Sequence, residues 1–324
     1  MMKALVVSAL SEDLSGCALA DLPVPRRAPG QLLVKVRAAS RNYPDLLMTR
    51  GAYQLKPPLP FVPGMEMAGD VVEADPGSGF AAGDKVVCGT RLGSFAEFVV
   101  CAADASRAIP TGIGYAEAAA IGTTYLTAYV ALVRLAQVQP GEWVLVHGAS
   151  GGVGLAAVDL AMLLGARVIA TSRSADKRAI IERDYAPDAV LPASGFREAV
   201  KDLTGGKGAD VIFDPVGGDV FDESSRAIAF GGRLLVVGFT SGRIATIATN
   251  LPLIKGFSVI GVRAGEYGRQ FPALGAENLD AVWQLAVAGR LRPRVDRTCR
   301  LADWQGAFAA MASSDLIGKL VIEP

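Results

Sequence analysis

His147-Gly148-Ala149-Ser150-Gly151-Gly152-Val153-Gly154 closes an apolar strand that begins near Val144 and opens a helix expected over Val153–Leu164. Gly151 and Gly152 let the backbone approach a pyrophosphate closely, and Gly154 lets the helix pack tightly on the strand. The helix N-terminus adds free N–H groups and the positive end of its dipole. Ala149 stands where the usual G-x-G-x-x-G pattern has its first glycine. A glycine cluster alone is compatible with an ordinary turn. The strand before it and the helix after it make it a dinucleotide site, with Ser150, Gly151, Gly152 and Val153 as the phosphate-facing residues.

Downstream, strands are expected at Val168–Thr171, Ala209–Phe213, Arg233–Val237 and Phe257–Val262, with helices starting near Ser174 and Val220 between them. This alternation predicts an α/β fold with a doubly wound Rossmann parallel sheet. The second strand ends Thr171-Ser172-Arg173-Ser174-Ala175-Asp176-Lys177. An NAD site places Asp or Glu at that terminus to accept from the ribose 2′-hydroxyl. None stands there, whereas Ser172, Arg173 and Lys177 suit a 2′-phosphate, so NADP(H) is the expected cofactor.

Upstream, short apolar runs such as Leu32–Val36 and Ala68–Val72 alternate with Pro and Gly turns, so the first third reads as β-rich. An Ala-rich helical texture begins around residue 115 and runs through Leu135. From Gly265 the chain carries no motif. A nucleotide domain (122–264) inserted into a β-rich domain (1–121 and 265–324) fits this layout.

With 324 residues, two domains are the default. Lys plus Arg and Asp plus Glu balance at 32 each, so no global field attracts nucleic acid or an anionic membrane. The uncharged stretch Ala118–Val133 falls short of the roughly 20 apolar residues needed to span, and Ala4–Leu10 is a poor signal peptide. Cys17, Cys88, Cys101 and Cys299 are scattered, as reduced residues of a cytoplasmic protein are.

These blocks resemble the zinc-independent NADPH:quinone oxidoreductase (zeta-crystallin-like) family of the medium-chain dehydrogenase/reductase superfamily. Gly141-Glu142-Trp143-Val144-Leu145 and Ala149–Gly154 match its signature. Asn42, Asp45, Arg50, Gly51 and Tyr53 match N-x-x-D…R-G-x-Y, and Pro63-Gly64-Met65-Glu66-Met67-Ala68-Gly69 matches P-G-x-E-x-x-G. Gly83–Val86, Thr127-Ala128-Tyr129 and Asp214–Gly218 also agree. The chain departs at Asp159 and Met162, where the signature has Gln and a basic residue, and at Leu191-Pro192, where some relatives place a Tyr against the 2′-phosphate.

The resemblance implies a GroES-like catalytic domain beside the Rossmann domain. It also implies hydride transfer from NADPH to quinones or other activated α,β-unsaturated carbonyls. The superfamily's zinc enzymes use an early Cys and a G-H-E turn. Here Arg41-Asn42-Tyr43 and Met65 stand at those positions, so no metal is expected. Asn42 and Thr127 are implied near the nicotinamide ribose, Gly238 in the nicotinamide pocket, and Val216 as a further cofactor-binding residue. Tyr53, with Asn42, is the implied catalytic residue, either as proton donor or as a lining aromatic. Asp45 and Glu66 are either an acid pair or loop-holding acceptors.

A homodimer through the edge strand Phe257–Val262 is expected, because an uncovered apolar edge invites pairing. Reduction of an enoyl- or acryloyl-CoA-type thioester is the alternative activity. A nucleic-acid-binding or structural NADPH-holding protein is the alternative of a different class.

Overall fold

The computed structural model describes residues 1–313 and 315–324. The first elements are β1 (Met2–Val7), β2 (Cys17–Leu22), β3 (Gln31–Ser40), α1 (Tyr43–Thr49), β4 (Glu66–Glu73), β5 (Lys85–Gly89), β6 (Phe98–Ala102), β7 (Ser106–Ala108) and α2 (Tyr115–Tyr129). A π-helical segment (Val130–Leu135) follows. Next come β8 (Trp143–Val146), α3 (Gly152–Leu163), β9 (Arg167–Thr171), α4 (Ala175–Tyr185), β10 (Ala189–Leu191), α5 (Arg197–Leu203), β11 (Ala209–Asp214) and α6 (Gly218–Ala227). The chain ends with β12 (Ile228–Val236), α7 (Asn250–Lys255), β13 (Ser258–Gly261), α8 (Ala264–Gln270), α9 (Pro272–Val287), β14 (Val295–Arg300), α10 (Trp304–Ala312) and β15 (Lys319–Glu323).

Two compact units form, one from Met1–Thr123 with Pro293–Pro324 and one from Thr124–Arg292. In the first, the sheet order is β14-β15-β3-β4-β5-β7, with β6 also on β3 and β1-β2 a separate ribbon. β3 shows why the strands form: Leu32, Val34 and Val36 are buried, while Lys35 and Arg37 alternate with Val34 and Val36 and point outward. The C-terminal strand β15 returns to lie antiparallel to β3, pairing Val321 with Ser40 and Ile322 with Ala39. The Arg41 N–H continues that ladder to the Leu320 carbonyl at 3.0 Å. Phe308 on α10 closes this core edge-on against Phe95, with ring centroids 6.2 Å apart.

In the second unit the order is β10-β9-β8-β11-β12-β13, every pair parallel. All four residues of β8, Trp-Val-Leu-Val, are buried, as a strand covered on both faces requires. Sequence order runs outward in opposite directions from β8 and β11, so the topological switch point lies between them. The glycine turn leaves β8, and Asp214-Pro215-Val216 leaves β11.

The return to the first unit comes at Pro293 rather than near residue 265. α8 and α9 stay with the nucleotide unit, where Arg134 in the π segment donates to Asn278 (2.6 Å) and Glu277 (2.9 Å) of α9. The helical segment Tyr115–Leu135 also reaches 21 residues, longer than its uncharged stretch alone, and more than half of its apolar window is buried within the protein.

Asp159, the departure on α3, is a structural anchor. Its buried carboxylate accepts from the Arg292 Nε–H (2.7 Å), the Arg292 backbone N–H (2.8 Å) and the Tyr125 hydroxyl (2.7 Å). The Tyr185 hydroxyl donates to the Arg292 carbonyl at 2.8 Å. Asp159→Asn keeps the volume but loses the charge, and it turns an N–H toward groups that are themselves donors. Because Arg292 is half-exposed, we expect a loss of about 2 kcal/mol in unfolding free energy, within the range for hydrogen bonds to charged groups. Urea denaturation of the two proteins measures it.

Candidate functional site

The residues singled out in the sequence fall into two constellations, one in each unit. In the nucleotide unit, Gly151 is the N-cap of α3, and its own N–H turns back to the Gly148 carbonyl at 2.9 Å. The first intrahelical bond runs from Leu155 N–H to the Gly151 carbonyl (2.8 Å). The N–H groups of Gly152, Val153 and Gly154 therefore have no carbonyl four residues back, and this is the anion-facing end of a helix. A Cβ on Gly154 would stand 2.2 Å from the Gly148 oxygen, so only glycine allows the helix this close to the turn.

The turn is tied to its neighbours. Ala149 N–H donates to the Thr171 carbonyl at 3.0 Å, and His147 N–H to that of Phe213 at 3.0 Å. The imidazole of His147 is fully buried, with Nδ1 2.9 Å from Thr171 Oγ1 and Nε2 2.8 Å from Ser224 Oγ. Burial pushes its pKa down to about 3. It is a neutral strut between β9 and α6, not a titrating catalyst.

At the end of β9, the Ser172 hydroxyl donates to Ser150 Oγ at 3.2 Å. Arg173 is exposed and Lys177 half-buried in the first turn of α4, where Ser174 caps the helix. Arg178, which sequence reasoning passed over, donates from one nitrogen to the carbonyls of Ser172 and Arg173, both at 2.9 Å. It stiffens the strand end that carries the phosphate candidates.

Across the switch point, the Asp214 carboxylate accepts from the N–H groups of Val216 (2.8 Å) and Gly217 (2.9 Å), shaping the turn at Val216. Burial raises the pKa of Asp214. Gly238 lies where a Cβ would be 3.2 Å from the Pro215 carbonyl oxygen. Thr127 is half-buried on α2.

In the first unit, Asn42, Asp45 and Glu66 come together and Tyr53 does not join them. Asp45 accepts from the N–H groups of Asn42 (2.7 Å) and Gly64 (3.2 Å), holding the start of α1 against the Pro63-Gly64 turn. Desolvation raises its pKa to about 6. Glu66 accepts from Asn42 Nδ2 at 2.8 Å, from Lys319 Nζ at 3.1 Å and from the Thr123 N–H at 2.7 Å. Lys319 Nζ also donates to Asn42 Oδ1 at 2.6 Å. The acids thus serve as acceptors for loops and helices.

Arg41, fully buried, donates to the Ala307 carbonyl at 3.0 Å and lies 4.0 Å over the Phe308 ring. Burial lowers its pKa to about 10. Tyr53 is half-buried against the core of this unit, and its hydroxyl has no hydrogen-bond partner among the described residues.

Lys319 was invisible to motif reasoning. The available signal was one lysine in the apolar run Leu316–Ile322. Glu66, which follows Met65, already holds an ammonium and an amide. Among the described residues, no three His, Cys, Asp or Glu side chains gather.

A fold of this kind, with a glycine turn at the switch point, defines a dinucleotide-dependent dehydrogenase/reductase. The "Zinc-binding dehydrogenase" family model matches residues 152–280 and the "Alcohol dehydrogenase GroES-like domain" model residues 28–132. A quinone oxidoreductase-like protein 2 homolog of Nematostella vectensis is 38% identical over 90% of this chain and 81% of its own. A probable oxidoreductase from Mycobacterium abscessus is 36% identical with a TM-score of 0.90, covering 100% of this chain and 99% of that one. A mycobacterial structure complexed with NADPH is 29% identical, with a TM-score of 0.90 and full coverage of both chains. The chain belongs to the quinone oxidoreductase family of the medium-chain dehydrogenase/reductase superfamily.

The single histidine makes one test direct. A folded pKa near 3 against about 6.5 unfolded means that His147 stabilises the fold fully above pH 6.5. That contribution falls by about 1.4 kcal/mol per pH unit as pH drops from 6.5 toward 3. In NMR, the one set of imidazole C–H signals should not shift between pH 8 and about 5. A mid-range titration would show that the imidazole is solvated.

Proposed function

We propose that the protein is a zinc-independent oxidoreductase that transfers hydride from NADPH to quinones or other activated α,β-unsaturated carbonyls. The observation that carries this reading is the Glu66 carboxylate, whose partners are an ammonium, a carboxamide and a backbone N–H, beside Met65 where the zinc enzymes have a histidine. The acceptor must then need little electrophilic help, as quinones and enones do. Bound NADPH supplies the hydride. The first-turn N–H groups of Gly152 and Val153, with Ser150, hold its phosphates, and Ser172, Arg173 and Lys177 face the 2′-phosphate. Thr127, Val216 and Gly238 border the nicotinamide. The neighbour solved with NADPH supports the choice of nucleotide.

The unpartnered hydroxyl of Tyr53 favours a second reading, reduction of an enoyl-CoA-type thioester with Tyr53 donating the proton to the carbon left carbanionic by hydride addition. Quinones need no such positioned donor. Four free cysteines suit a cytoplasmic setting.

The dimer is proposed at β13, which pairs only with β12. Its Val259 is exposed, as are Phe230 on β12 and Leu253 and Ile254 on the helix just before it.

NADPH oxidation followed by absorbance with EDTA present, on quinones beside short enoyl-CoA esters, tests the activity. Turnover of quinones alone supports the first reading, and preference for the thioester with a large loss in Tyr53→Phe supports the second. Arg173→Ala should raise KM for NADPH roughly tenfold and leave NADH unchanged, as expected on losing one charged hydrogen bond of about 1.5–3 kcal/mol. For the dimer, Val259→Lys with Leu253→Asp should shift sedimentation from dimer to monomer; a monomeric wild type refutes that interface.

A further inference from the structure

Asn42 is the residue of the first unit that the family resemblance implies near the nicotinamide ribose, yet its side chain is already engaged within its own unit. Both amide hydrogens are used, one on Glu66 Oε1 at 2.8 Å and one on the Ser40 carbonyl at 3.3 Å. With no N–H left, the carboxamide has nothing to donate to a substrate carbonyl. Its remaining capacity is on Oδ1, which already accepts from Lys319 Nζ at 2.6 Å. An Asn side chain could otherwise flip by half a turn. Here the flip would set Nδ2 against the ammonium and Oδ1 against the Glu66 carboxylate.

We infer that Lys319 is a positioning residue: through the shared carboxylate of Glu66 it locks the Asn42 carboxamide with Oδ1 as its only presentable group. Asn42 can therefore meet a hydrogen-bond donor, such as a hydroxyl, and not a carbonyl. This rests on the NADPH-dependent reading above.

Three observations make the lock specific. Lys319 is 6% exposed and Glu66 1%, so neither charge is held by water. Lys319 Nζ touches both partners of the Asn42–Glu66 hydrogen bond, so the three groups form a closed ring in which each orientation fixes the next. Glu66 is pinned from its far side as well. Its Oε2 accepts from Thr123, and a Cβ on Gly122 would stand 2.9 Å from that oxygen.

The test uses the full-length enzyme with NADPH and a quinone, comparing wild type, Lys319→Met, Asn42→Ala and the double variant. Lys319→Met should lower kcat about tenfold or more, the cost of a misplaced positioned group, with KM for the quinone changed less than about threefold. The double variant should be no slower than the worse single, because without Asn42 the lysine has nothing to orient. Independently of turnover, the Asn42 side-chain amide protons should exchange slowly in wild type and at least tenfold faster in Lys319→Met.

If Lys319→Met melts before it can be assayed, Lys319→Met with Glu66→Gln leaves no lone buried carboxylate and takes its place in both measurements. Additive losses in the double variant, or unchanged exchange at Asn42, overturn the inference. A wild type that turns over neither quinone nor enone defeats the functional reading instead, and the exchange measurement still decides the role of Lys319.

Discussion

Burying the Glu66 carboxylate is the constraint on which the first unit depends. At 1% exposure it has given up water, and an uncompensated carboxylate in that position would cost several kcal/mol. Three different parts of the chain supply the compensation: an amide from the start of α1, a helix N–H from α2, and an ammonium from the last strand. Lys319 lies 253 residues from Glu66 in sequence. The C-terminal return therefore compensates this charge as well as completing the core, and β15 must pair with β3 for the ammonium to arrive. Arg41 and Asp45 are buried close by, so the neighbourhood holds two acids and two bases and is neutral as a whole.

The nucleotide unit solves a different problem, presenting favourable potential to an anion from backbone N–H groups. Its turn uses the free N–H groups at the start of α3, and its one imidazole is kept neutral. This is consistent with a chain whose charges balance: the attraction is local, directional and made of backbone. Side-chain cations gather at the β9 terminus, where Arg173, Lys177 and Arg178 fall within six residues.

Legibility in the sequence followed the range of the interactions. The strand–turn–helix around Gly151 and the buried parallel strands were readable because each depends on neighbours within a few residues and on continuous apolar runs. β10 was missed because three half-buried residues carry no periodicity, and α5 because it is seven residues long. The boundary near Pro293 was unreadable for a different reason. α9 is held by Arg134, more than 140 residues upstream, and nothing local marks that attachment. Asp159 looked like a lapse from a family pattern and is a buried anchor. Asn42 and Glu66 could be named from motifs, but their partner Lys319 could not, since an ion pair between distant strands leaves no spacing to detect.

The ammonium beside Glu66 also bears on what kind of chemistry the fold can support. A zinc ion at such a place polarises a bound oxygen directly and holds an open coordination position for it. An ammonium is singly charged, has no coordination vacancy, and here has two of its three hydrogens committed to the protein. It can orient neighbours but can lend little positive charge to a developing alkoxide. Alcohol and unactivated ketone chemistry, whose transition states carry most of their charge on one oxygen, gains little from such a site. A quinone or enone delocalises the incoming electron pair through its own conjugated system, and there the protein's contribution reduces to holding donor and acceptor in register. Under the proposed function, a site that works without a Lewis acid suits molecules that carry their own electron sink.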